Sequence, residues 1–168
     1  SKIIKHNLSV CCWVLGRDEL AKEYADEALA IDPYFPLPLR TKYAGLKHGK
    51  PEDAIDEVLE AYEFYPNQPV FLQILFDLYW ESNAREKAFN CLVELLDKHH
   101  DTFQKAGFAN IYFIMDRPED AYRWLEKAIE HRESLVPHYA TYPSLKKFQS
   151  QPRFRELYKK INHPLYVD

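Results

Sequence analysis

The stretch from Lys105 to His131, KAGFANIYFIMDRPEDAYRWLEKAIEH, decides how the rest of the chain is read. It describes two short helices joined at Asp116-Arg117-Pro118. The first carries Phe108, Ala109 and Tyr112 on one face, and the second carries Ala121, Leu125 and Ala128 at i, i+4 and i+7. Pro118 suits the first turn of the second helix, where its missing N–H leaves no hydrogen bond unmade. Small alanines at helical spacing admit a neighbouring helix at close range. One such hairpin buries too little apolar surface to stand alone, so it has to recur.

It does recur. Gly16-Arg17-Asp18-Glu19-Leu20-Ala21 leads into Ala25 and Ala28, with Leu8, Ser9 and Cys12 in the places of Phe108, Ala109 and Tyr112. Gly49-Lys50-Pro51-Glu52-Asp53-Ala54 leads into Val58 and Ala61. Asn83-Ala84-Arg85-Glu86-Lys87-Ala88 leads into Leu92 and Leu95, preceded by Leu72, Leu75, Phe76 and Tyr79. Ala21, Ala54, Ala88 and Ala121 are separated by 33, 34 and 33 residues. The sets Ala25, Val58, Leu92, Leu125 and Ala28, Ala61, Leu95, Ala128 keep the same steps. A fixed period with two helices per unit signifies an all-α solenoid of stacked hairpins.

These residues resemble the tetratricopeptide repeat (TPR) pattern, W-x2-L-G-x2-Y, then A-x3-F, A and P. The fourth copy reads Lys105-x2-Phe108-Ala109-x2-Tyr112, then Ala121-x3-Leu125 and Ala128, with Glu133 where the proline would fall. The resemblance implies a right-handed α-solenoid of four TPR hairpins, at about 2–35, 36–68, 69–101 and 102–133, closed by a capping segment of short helices over 134–168. Two copies depart from the pattern. In the second, Thr41, Lys42 and Gly45 replace Leu8, Ser9 and Cys12, and Pro36 and Pro38 push the helix start toward Leu39, with Leu39, Tyr43 and Leu46 packing instead. In the third, Phe76 stands where a small residue is expected and calls for wider packing.

Past residue 133 the period is lost. Pro143 and Pro152 mark helix starts, and Leu145 with Phe148, then Phe154 with Leu157 and Ile161, give short apolar faces. Solenoids need an end unit with a polar outer face. The tail is similar to the one closing TPR regions in bacterial multidomain regulators, which often carry a DNA-binding or nucleotide-cyclase domain toward the N-terminus.

Composition is that of an ordinary water-soluble chain: 168 residues, 46% hydrophobic and 29% charged, with aromatics at 15% and only 4 glycines. The net charge of −4 argues against a general nucleic-acid binder. Residues 134–168 hold six Lys and Arg against two Asp and Glu, a balance of +4, so residues 1–133 carry −8. The basic tail (Lys146, Lys147, Arg153, Arg155, Lys159, Lys160) reads as a solvated face that interacts favourably with the acidic repeats. No apolar run approaches the roughly 18–20 residues of a membrane span. The chain opens at Ser1, and its only methionine is Met115, so it reads as a piece of something longer.

No motif for catalysis, a cofactor or a metal emerges. His99 and His100 are adjacent, about 100° apart on a helix, and unsuited to share an ion. Cys11, Cys12 and Cys91 form no CxxC; an odd count with an adjacent pair fits buried free thiols in a reducing, cytoplasmic compartment. There is no Gly-rich phosphate loop, G-x-S-x-G or HExxH. Carboxylates cluster at helix starts, where they favour the positive helix end.

What the resemblance leaves is a groove. In the family its inner wall is made by each unit's first helix, at the second, fifth, ninth, twelfth and thirteenth positions. On this chain the matching residues include His6, Val10 and Trp13; Leu39, Tyr43 and Lys47; Gln73, Asp77 and Trp80; and Ala106, Asn110 and Phe113. The family's carboxylate clamp needs Lys and Asn where His6 and Val10 stand, so it is missing. The resulting peptide-binding set is His6, Tyr43, Lys47, Gln73, Asp77, Trp80 and Asn110. For Trp13, Trp80 and Phe113, groove wall and inter-repeat core both remain open. The expected function is a non-catalytic scaffold binding a protein or peptide segment on its concave face, as the regulatory part of a larger bacterial protein. Self-association, or packing within a transcriptional or signalling regulator, is the alternative.

Overall fold

A computed structural model describes residues 1–44, 51–142 and 145–167, apart from the side chains of Arg40, Tyr43, Ala44 and Asp53. Among the described residues there are eleven helices and no strand: α1 (Lys2–Val14), α2 (Asp18–Ile31), α3 (Pro36–Ala44), α4 (Pro51–Phe64), α5 (Val70–Glu81), α6 (Arg85–Lys98), α7 (Lys105–Ile114), α8 (Pro118–Glu130), α9 (Val136–Tyr139), α10 (Lys146–Gln149) and α11 (Pro152–Lys160). They form two compact units, Ser1–His100 with α1 to α6 and Asp101–Asp168 with α7 to α11. In the first unit each first helix meets the hairpin before it: α3 touches α1 and α2, and α5 touches α3 and α4.

The hairpin turns share one geometry. Gly16, Asn83 and Asp116 have φ of 70°, 61° and 58°. The next residue's N–H in each case reaches back to the last turn: Arg17 to Cys12 O at 2.8 Å, Ala84 to Tyr79 O at 2.8 Å, and Arg117 to Tyr112 O at 2.9 Å. This is the Schellman closure, which needs a left-handed residue just past the helix. Gly supplies that conformation freely, and Asn and Asp tolerate it best among the other residues. Gly49 has the same place in the sequence and lies outside the described residues, as do Gly45, Leu46 and Lys50.

The second helices follow the sequence arithmetic. Ala21, Ala25, Ala28, Ala54, Val58, Ala61, Ala88, Leu92, Leu95, Ala121, Leu125 and Ala128 are all buried. Small side chains let the two helices of a hairpin approach closely enough for Ser9 Oγ on α1 to donate to Ala21 O at 2.6 Å.

Two expectations are corrected. Helix α3 begins at Pro36, because the first-turn N–H groups have no intrahelical partner and both prolines fit there without loss. Leu8 was expected to pack but is 40% exposed, since among the described residues no helix covers that side of α1.

The tail keeps more of the period than its sequence suggests. Phe154 and Tyr158 on α11 stand 33 residues after Ala121 and Leu125 and are buried like them. Pro152 sits at the first turn of α11, as Pro118 does in α8, while Pro143 lies outside the described residues. Helices α8 and α11 also end alike, with Arg132 and Asn162 at φ of 53° and 54°.

Candidate peptide-binding face

The first helices carry the sequence-derived binding positions, and each unit holds its own set. In Ser1–His100, His6 on α1 is half-buried with its ring edge-on to Phe35 at 5.8 Å. Val10 and Trp13 continue the same side of α1, also half-buried. Leu39 on α3 is buried and apolar. The Tyr43 side chain and all of Lys47 lie outside the described residues.

On α5, Gln73 is 2% exposed, and its Nε2 has no hydrogen-bond partner among the described residues. One turn on, Asp77 is half-buried on the same side of the helix. A buried amide donor left unpaired costs roughly 1–3 kcal/mol, so its presence at this position calls for an explanation.

Trp80 is held differently. Its ring stacks on Phe76 at 5.6 Å, the Arg85 guanidinium lies 3.7 Å from the ring centroid, and Phe89 meets its edge at 6.2 Å. Arg85 Nη1 also donates to Trp80 O at 2.8 Å. Three neighbours of its own hairpin thus pack against the half-buried indole.

In Asp101–Asp168, Asn110 on α7 is 2% exposed, and its Oδ1 has no partner among the described residues. Phe113 resolves to core. It packs against Tyr122 at 5.2 Å, Phe148 at 4.5 Å and Phe154 at 6.3 Å, so the tail occupies the space beside it.

Electrostatics bind the tail to the fourth hairpin. Lys147 pairs with Asp116 at 2.7 Å, and Arg153 pairs with Glu119 at 2.9 Å and Glu126 at 3.2 Å while lying over the Tyr122 ring at 4.5 Å. The expected match between basic tail and acidic repeats is therefore present. Exposed pairs of this kind contribute little individually. In the first unit Lys42 reaches Glu57 at 3.3 Å and Asp26 at 3.8 Å, tying α3 to both neighbours.

Among the described residues no group of three or more His, Cys, Asp or Glu could hold a metal ion. Cys12 and Cys91 are buried, and Cys11 is exposed. Burial, then the Glu94 charge, pushes the Cys91 thiol up to about 12, which keeps it protonated and inert at neutral pH. Burial and Glu94 likewise push the Tyr62 hydroxyl up to about 12.

One residue was missed at the sequence level. Glu133 reaches back to the start of α7, its Oε1 accepting from Lys105 N at 2.9 Å and its Oε2 from Ala106 N at 2.8 Å. A carboxylate on two orphan first-turn amides does the work of a local cap. The only available signal was the departure from proline at that position.

Residues 4–35 match the family model described as tetratricopeptide repeat. No curated protein matches the chain. The matched segment spans α1 and α2, the hairpin whose register recurs through α8, and over those residues the chain is similar to the tetratricopeptide repeat.

Proposed function

We propose that the chain is a non-catalytic module that binds an extended peptide segment of another protein along the first helices of the Ser1–His100 unit. Tetratricopeptide repeats are in general protein–protein interaction scaffolds. The observation that carries the finer reading is Gln73: a buried amide with an unpartnered Nε2, at a position where the family faces its ligands. An extended peptide presents backbone carbonyls at regular intervals, and one of them would accept from Nε2. Asp77 and His6 supply polar neighbours for the peptide's N–H groups, and Tyr43 and Lys47 belong to this face by register. In the second unit, Asn110 Oδ1 has the complementary need for a donor. The tail's resemblance supports placing this module as the regulatory part of a larger bacterial protein.

The test uses one substitution with two readouts. For a peptide selected from an array by the chain, Gln73→Leu should weaken binding about tenfold, or about 1.4 kcal/mol. The same change should raise the unfolding free energy of the unliganded protein by about 1 kcal/mol, because an unpaired buried donor is removed. If Gln73→Leu and Asp77→Ala both left peptide affinity unchanged, the groove assignment would be wrong.

A further inference from the structure

Past α11 the chain forms a short strap, residues 163–167, that lies back on its own unit. Tyr166 is its buried residue, with the ring 5.5 Å from Tyr158 and 6.1 Å from Phe154 and the Arg155 guanidinium 5.8 Å from its centroid. Leu165 and Val167 on either side are exposed, so one ring seats the strap. The half-buried imidazole of His163 fastens it at two further points. Its Nε2 lies 3.1 Å from the Pro137 carbonyl oxygen of α9, and its Nδ1 lies 3.3 Å from the Leu165 backbone nitrogen.

These partners allow the ring one protonation state. A carbonyl oxygen only accepts, so Nε2 carries a proton. A backbone N–H only donates, so Nδ1 carries none. The neutral Nε2–H tautomer alone makes both bonds. A proton added at Nδ1 turns that acceptor into a donor aimed at the Leu165 N–H, and an attraction becomes a repulsion.

The charged neighbours do not favour the added proton. Helix α11 contributes Arg155, Glu156, Lys159 and Lys160, three of them cationic, and α9 contributes His138. The Tyr158 and Tyr166 rings border the imidazole at 5.5 and 5.7 Å. The Tyr158 hydroxyl donates to Val136 O at 2.8 Å, away from the ring nitrogens. Among the described residues no carboxylate lies within ion-pair distance of His163.

We propose that His163 is a pH-sensitive clasp. Neutral, it holds residues 163–167 closed over Tyr158 and Phe154; protonated, it releases them and uncovers one side of both rings. The open strap binds the extra proton and the closed one does not, so closure is favoured at neutral pH and weakens as pH falls. The second unit thereby carries an aromatic face that acid exposes. This inference is independent of the peptide reading.

Nitrogen-15 NMR of the imidazole in the 168-residue chain reads the tautomer directly. At about pH 7.5, His163 should show a protonated Nε2 and a bare Nδ1; a predominant Nδ1–H form overturns the proposal without any variant. Between about pH 7.5 and about pH 5, protection of the Leu165 amide, corrected for the intrinsic pH dependence of exchange, should fall at least about fivefold, the scale of one hydrogen bond. Cross-peaks between the Tyr158 and Tyr166 rings should fade over the same range. His163→Gln, which does not titrate, should lose the acid step, and His163→Lys, which stays cationic, should be open throughout. His138→Gln should keep the step, and unchanged helical circular dichroism would verify that each variant folds. No step in the parent chain, a step that persists in His163→Gln, a closed strap in His163→Lys, or a step lost in His138→Gln also overturns it.

Discussion

The first and fourth hairpins use one register and leave their outward sides in opposite conditions. Beside the fourth, Phe113 is enclosed by Phe148 and Phe154, and Arg153 pins the tail to Glu119 and Glu126. Beside the first, Ile3, Ile4 and Leu15 stand mostly in solvent. A repeat unit makes two faces and can satisfy only one of them within its own hairpin. The difference teaches that the tail is a packing partner whose aromatics fill space, whereas the apolar residues of α1 have no partner within the described chain. The same residue type thus has different energetic meaning at the two ends.

The sharpest way to break this comparison is a pair of truncations. Phe154→Ala should cost about 3–5 kcal/mol in urea denaturation, because it removes a buried ring and leaves a cavity against Phe113 and Tyr158. Ile4→Ala should change stability by less than about 0.5 kcal/mol when measured at low protein concentration. Comparable losses in the two would show that α1 is packed in solution in a way the structure does not contain.

A smaller effect is expected at Glu133. Glu133→Ala should cost about 1–2 kcal/mol, the usual scale of a lost helix cap. Hydrogen exchange should speed up at the Lys105 and Ala106 amides and stay unchanged at the start of α5, which Pro69 precedes without a side-chain cap. Uniform loss of protection across both helices would mean that Glu133 acts through something other than the α7 terminus.

The smallest effect at neutral pH belongs to Cys91. Its folded-state pKa is raised to about 12 against an ordinary 9.0, so the folded protein holds the proton that the unfolded chain releases. Its contribution to stability is complete below about pH 9 and falls as pH rises toward 12. Cys91→Ala should flatten that alkaline decline in chemical denaturation. At pH 8 a thiol reagent should modify Cys11 rapidly and Cys91 only on unfolding. Equal rates at the two thiols would contradict the burial.

The hairpin order, the positions of the second helices and their twelve buried residues were legible in the sequence, since a period near 34 imposes the same local environment at every step. The left-handed turn residues could be read from Gly16, Asn83 and Asp116 for the same reason. The candidate site was legible only as register. Which of those positions are open, half-covered or sealed depends on what arrives from other parts of the chain. Phe113 became core because the tail reached it, Trp80 packs against Arg85 and Phe76, and Gln73 Nε2 was left without a partner among the described residues. Helix α3 starts at Pro36 because first-turn geometry forgives proline. Glu133 caps a helix 28 residues away because folding brings it there. Periodicity decides which side of a helix a residue occupies; only tertiary structure decides what stands opposite it, because burial and hydrogen bonding are properties of pairs.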